Sequence, residues 1–91
     1  MTRLAITSEN AAVLALQSLA FLAGSREAIE RFAAATGCDP SDMRIRADEP
    51  DFLVSVLDFL LSDETLLVEF SSEFEVDVRA VHMARHVLSE G

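Results

Sequence analysis

The stretch from Pro50 to Ser62 constrains this chain more than any other. Placed on a helix at 100° per residue, Asp51, Ser55, Asp58 and Ser62 fall on one narrow strip. Phe52, Leu53, Val54, Val56, Leu57, Phe59, Leu60 and Leu61 occupy the rest of the circumference. A helix that is apolar on nearly every side cannot lie on the surface of a water-soluble domain, so neighbours must cover it from several directions. The remaining chain has to supply those neighbours, and 91 residues is enough for one small domain only.

Capping and stop signals divide the chain into six helical segments. Met1 to Ile6 reads as a short arm. Thr7 or Ser8 caps a first helix, with Glu9 in its first turn and Gly24 after its end. Ser25 caps a second, from Arg26 to about Thr36, and Gly37 suits a left-handed stop. Asp39 followed by Pro40 opens a short third helix through Met43 and Ile45, and Pro50 opens the fourth in the same manner. Asp63 caps the fifth, with Leu66, Leu67, Phe70 and Phe74 inward, and Asp77 caps the sixth, Val78 to about Ser89. No window alternates with period two, so the fold class is all-α, a single domain over residues 1–91.

A shift of 38 residues brings the two halves into register. Leu19, Phe21 and Leu22 land on Leu57, Phe59 and Leu60; capping Ser25 lands on Asp63; Phe32 lands on Phe70 and Asp39 on Asp77. The reading is an internal repeat of two three-helix units, 10–47 and 48–90, with the first and fourth helices packed on each other at the centre.

Charge follows a different division. Residues Met1 to Ala47 balance five arginines against five acids. From Asp48 to Asp77 there are ten acids and no base, and the net charge is −9 with no lysine anywhere. Such a surface repels nucleic acid and anionic lipid, keeps an apolar domain dispersed, and can steer basic partners. Tryptophan and tyrosine are absent, which removes the usual platforms for stacking bases. The single cysteine excludes an internal disulfide and fits a reducing compartment. Ala11 to Ala23 is too short to span about 30 Å of hydrocarbon, and Glu9 and Asn10 before it argue against a signal peptide. The expected setting is therefore cytoplasmic, with no membrane contact.

Three constellations bear on chemistry. The second and third helices meet across Ala33-Ala34-Ala35-Thr36-Gly37-Cys38-Asp39, which looks like the turn of a helix-turn-helix. A DNA reader must present donors to bases and phosphates; Arg44 and Arg46 are there, but Asp42, Asp48 and Glu49 surround them, so nucleic acid is disfavoured. The sixth helix carries Arg79, His82, Arg85 and His86 opposite an apolar face. His82 and His86 at i, i+4 have the spacing of two metal ligands, yet no glutamate follows the first, and the plainer reading is a solvated basic strip attracted to nearby acids. Cys38 aligns with Val76 at the 38-residue shift, which points to a small buried hydrophobe. No phosphate loop, nucleophile elbow or calcium loop is present, and neither a cofactor nor a small-molecule ligand is implied.

Leu19-Ala20-Phe21-Leu22-Ala23-Gly24, the Thr36-Gly37 stop with Asp39-Pro40, and Pro50 through Leu57-Asp58-Phe59-Leu60-Leu61 together resemble a family of short bacterial proteins of unknown function, mainly alphaproteobacterial and about as long as this chain. The resemblance implies an all-helical fold and a cytoplasmic setting, and it brings no activity or functional residue. Where members often have glycine and proline before the last helix, this chain has Glu75 and Val78, so a looser turn is expected there. The sequence thus reads as a small acidic helical protein, not an enzyme, that binds a protein partner or a second copy of itself. Its expected contact residues are Asp51 and Asp58 on the acidic face and Arg79, His82, Arg85 and His86 on the basic strip. The alternative is a degenerate helix-turn-helix protein that binds nucleic acid or associates with transcription.

Overall fold

Side-chain caps set where five of the six helices begin. The computed structural model describes residues 6–90, so the expected N-terminal arm, apart from Ile6, lies outside the described residues. Thr7 accepts from the Asn10 amide at 3.1 Å and opens α1 (Ser8–Ala23). Ser25 accepts from Ala28 at 3.2 Å to open α2 (Arg26–Thr36), and Asp39 from Ser41 at 3.0 Å to open α3 (Pro40–Arg46). The fourth helix, α4 (Pro50–Leu61), has no side-chain cap bond; Pro50 at its first position has the helical φ built in and removes one of the unpaired N–H groups of that end. Asp63 accepts from Leu66 at 3.2 Å before α5 (Glu64–Phe74), and Asp77 from Arg79 at 2.8 Å before α6 (Val78–Glu90). All six expected helices are present and no strand is found among the described residues.

The stops differ in kind. Gly37 is left-handed, with φ 72°, and its N–H bonds back to Ala33 at 2.8 Å. Glu75 ends α5 in the same conformation, with φ 54° and ψ 47°, although it carries a Cβ. The turn expected to be looser is thus as tightly wound as its glycine counterpart, and the Ser71 hydroxyl donates to the Val76 carbonyl across it. Gly24 is ordinary right-handed backbone (φ −74°), and α1 ends because Ser25 is extended (φ −124°, ψ 117°).

The core is built on three long helices: α1, α4 and α6 pack mutually. Phe52, Leu53, Val56, Leu57 and Leu60 of α4 are buried, together with Ala11, Leu14, Ala15, Ser18 and Leu22 of α1 and Val81, Ala84 and Leu88 of α6. Small residues on α1 and Ala84 on α6 let the helices approach closely. Among the described residues the one buried polar side chain is Ser18, which donates to the Leu14 carbonyl at 2.9 Å, and no buried side-chain donor is stranded there. Around this trio α2 adds Phe32, edge-on to Phe52 and Phe59 at 5.9 and 5.4 Å, and α5 adds Phe70, edge-on to Phe21 at 5.6 Å. The radius of gyration is 12.3 Å. Among the described residues no single helix is long and apolar enough to cross a membrane.

Several of these features recur 38 residues apart: the caps Ser25 and Asp63, the caps Asp39 and Asp77, the left-handed stops Gly37 and Glu75, and the ring pairs Phe21–Phe70 and Phe59–Phe32. The likeness does not extend to the third helix of each half. The longer α6 lies along both α4 and α1, whereas α3 ends at Arg46, rests on α2, and stands off from α1. Recurring caps therefore do not amount to two equivalent packed units.

Candidate functional site: an apolar groove between α1 and α3

The basic strip on α6 is largely occupied by the chain's own acids. Arg85 donates from Nε to Asp58 Oδ1 at 2.7 Å and from Nη2 to Oδ2 at 3.4 Å. The Asp58 carboxylate holds the Arg85 guanidinium charged even more firmly than usual. Arg79 forms a similar fork on Asp77, at 3.3 and 2.9 Å, which with the Arg79 amide holds the Asp77 carboxyl below the usual range. His86 Nε2 lies 3.6 Å from Glu90 Oε2, and His82 is exposed. Among the described residues no three His, Cys, Asp or Glu side chains converge where they could hold a metal ion. Asp51 is exposed in the first turn of α4, two turns before Asp58. Of the six expected contact residues, the structure thus pairs Asp58 with Arg85, and among the described residues no other ion pair joins two of them.

The helix-turn-helix-like turn presents little to a phosphate backbone. Arg46 donates to Glu49 at 3.2 Å and lies over the Phe52 ring, 5.4 Å from its centroid. Its charge, like that of Arg31 on Asp63 at 3.0 Å, is used inside the molecule. Cys38 is buried between these helices.

What sequence reasoning missed lies on the opposite side of α1. There Ala12, Leu16, Leu19, Ala20 and Ala23 form a stripe along an open groove, with Leu16, Ala20 and Ala23 exposed. The short α3 stands across from it with Pro40, Met43, Arg44 and Ala47, and Ile29 closes the floor. Between them runs an open apolar groove of about 560 Å³, continuing past Ile45 and Asp48 toward Leu53. Two large apolar side chains that the fold leaves exposed line it: Leu16 at 42% and Ile45 at 74%. Met43 and Ile45, two positions apart, point to opposite sides of α3. Met43 is buried and Ile45 therefore projects. That spacing was the available signal: both cannot be core. Arg44 makes no ion pair among the described residues, and neither does Asp48.

The family model described as "Protein of unknown function (DUF3572)" matches residues 8–91, nearly the whole chain. The chain belongs to the DUF3572 family. That match agrees with the expected likeness to short helical proteins of unknown function, and it assigns no activity to the DUF3572 fold described above. Searches of curated proteins and of solved structures give no match.

Proposed function

We propose that this DUF3572 protein is a non-catalytic interaction module, an adaptor that acts by binding protein through the α1–α3 groove. The observation that carries the reading is the contrast between its two most apolar helices. α4 has neighbours on every apolar side, while α1 keeps a stripe of leucine and alanine open, with Leu16 exposed on it and Ile45 exposed on α3. Large apolar side chains gathered at one concave place, rather than scattered, mark a contact surface. A cytoplasmic setting goes with the reading, on the strength of the lone buried thiol. Nucleic acid is the poorer occupant, because four of the arginines are tied to acids of the same chain and the surface is acidic.

The test is affinity capture with the full chain as bait, beside two variants. Leu16→Glu places a charge in the groove at an exposed helix position, and Arg79→Glu with Arg85→Glu inverts the α6 strip. The reading expects a protein, a second copy of the chain included, to be retained by wild type and by the strip variant and lost from Leu16→Glu. Equal retention by all three, or loss only from the strip variant, overturns it.

A further inference from the structure

Resting on the reading of the groove as a contact surface, we propose that its occupant is a second copy of this chain, joined about a two-fold axis beside Ile45. A two-fold interface uses one patch twice, so that patch must hold both a projection and a recess to receive it. Here they are adjacent. Ile45 projects from α3 at 74% exposure and forms one edge of a recess of about 470 Å³ whose apolar walls are Ala12, Leu16, Ala47 and Leu53. Two copies facing each other can each seat Ile45 in the other's recess.

The charges on the same patch are also self-complementary. Arg44 and Asp48 both line the recess and neither has an ionic partner among the described residues. With the axis passing between Arg44 and Asp48, Arg44 meets Asp48 of the partner subunit, and the symmetry then forms the reciprocal pair as well. The wider charge distribution favours this face over any other. α1 and α3 belong to the half in which arginines and acids balance, whereas nine of the ten acids of the negative stretch follow Asp48 and sit on α4, α5 and their flanks. Joining the neutral faces keeps two chains of net charge −9 with their acidic surfaces apart, and salt screens charges separated by more than about 8 Å. The required area is modest. A standard interface covers about 800 Å² on each partner, against 5723 Å² exposed by one chain. The groove stripe from Ala12 to Ala23 alone is about 16 Å long.

Sedimentation equilibrium of the full chain at near-physiological salt tests the assignment, with circular dichroism to verify that each variant is folded. Wild type is expected as a dimer and Ile45→Glu as a monomer of unchanged helicity. Arg44→Asp alone and Asp48→Arg alone each set like charges face to face and are expected to weaken the dimer about tenfold or more. The double variant Arg44→Asp, Asp48→Arg restores the pairing with its polarity reversed and is expected to return most of that loss. A dimer indifferent to Ile45→Glu, or a double variant no tighter than the singles, overturns the two-fold arrangement. A monomeric wild type whose Leu16-dependent capture yields a different protein overturns the second-copy assignment and leaves the contact surface standing. A monomer with no Leu16-dependent capture ends both.

Discussion

Glu75→Gly should stabilise this protein, although it removes a whole side chain and touches no core residue. Glu75 holds φ 54° and ψ 47° at the end of α5, a conformation that brings Cβ against the neighbouring carbonyl. That clash costs an L-residue about 1–2 kcal/mol, and glycine is free of it. Against the gain stands the larger freedom of glycine in the unfolded chain, about 0.4–1 kcal/mol. The difference is a net stabilisation of about 0.5–1 kcal/mol, or roughly 2–8 °C in melting temperature for a domain of this size. Glu75 is also one of three acids in alternate positions with Glu73 and Asp77, so relief of repulsion has to be separated from relief of strain. Glu75→Ala does this: it removes the charge and keeps the Cβ. Thermal denaturation by circular dichroism should rank Glu75→Gly above Glu75→Ala, with the alanine variant close to wild type. Gly37→Ala, at φ 72°, should lose about 1 kcal/mol by the same argument run backwards. Equal gains from glycine and alanine at position 75 would refute the backbone explanation and assign the effect to charge.

Other consequences of the packing can be checked with the same assay. Gly24→Ala should be neutral or slightly stabilising, since Gly24 is right-handed and an added Cβ would come no closer than 3.4 Å to the Phe21 carbonyl. Phe32→Ala should cost about 3–5 kcal/mol, because Phe32 is fully buried against Phe52 and Phe59. A chain of this length has only about 5–14 kcal/mol to lose, so chemical denaturation should show a sharply lowered midpoint. Acid should unfold the protein partly through its caps. The carboxyls of Asp39, Asp63 and Asp77 are held below the ordinary range by hydrogen bonds from Ser41, from Leu66 and Arg31, and from Arg79. Their contribution is complete above the unfolded value of about 4 and is lost as pH falls through the lower folded values. Asp63→Asn should therefore flatten the fall in melting temperature below about pH 4, and an unchanged slope would contradict the capping role.

Where the sequence was legible, the signal was local or strongly periodic. Caps at Ser25, Asp39, Asp63 and Asp77 and prolines at 40 and 50 fix helix starts without reference to the rest of the chain, and all lie where expected. The central helix was readable because only four polar residues in thirteen leave one possible outward strip, and Asp51, Asp58 and Ser62 are indeed exposed. Register at 38 residues found matching caps and ring pairs, but α6 packing on both α1 and α4 was not visible in it. Helix-on-helix choice depends on lengths and small residues at a contact, and Ala84 looks the same in a pattern whichever neighbour it meets. The groove was hidden for a related reason. A leucine stripe on α1 reads as core until the shortness of α3 leaves it uncovered. Exposed charge drew attention to α6 instead, where Arg85 and Arg79 turned out to be matched by Asp58 and Asp77.

In the proposed dimer α1 and α3 present an apolar face to a second copy, while α4 is enclosed within each chain. A methyl NMR dilution series reads this directly, because each aliphatic side chain reports its own surroundings. On dilution the methyl signals of Leu16 and Ile45 should move as the face is uncovered, while those of Leu57 and Leu60 stay fixed. Groove methyls that ignore concentration, or shifts centred on Val87 and Leu88 of α6, would contradict it.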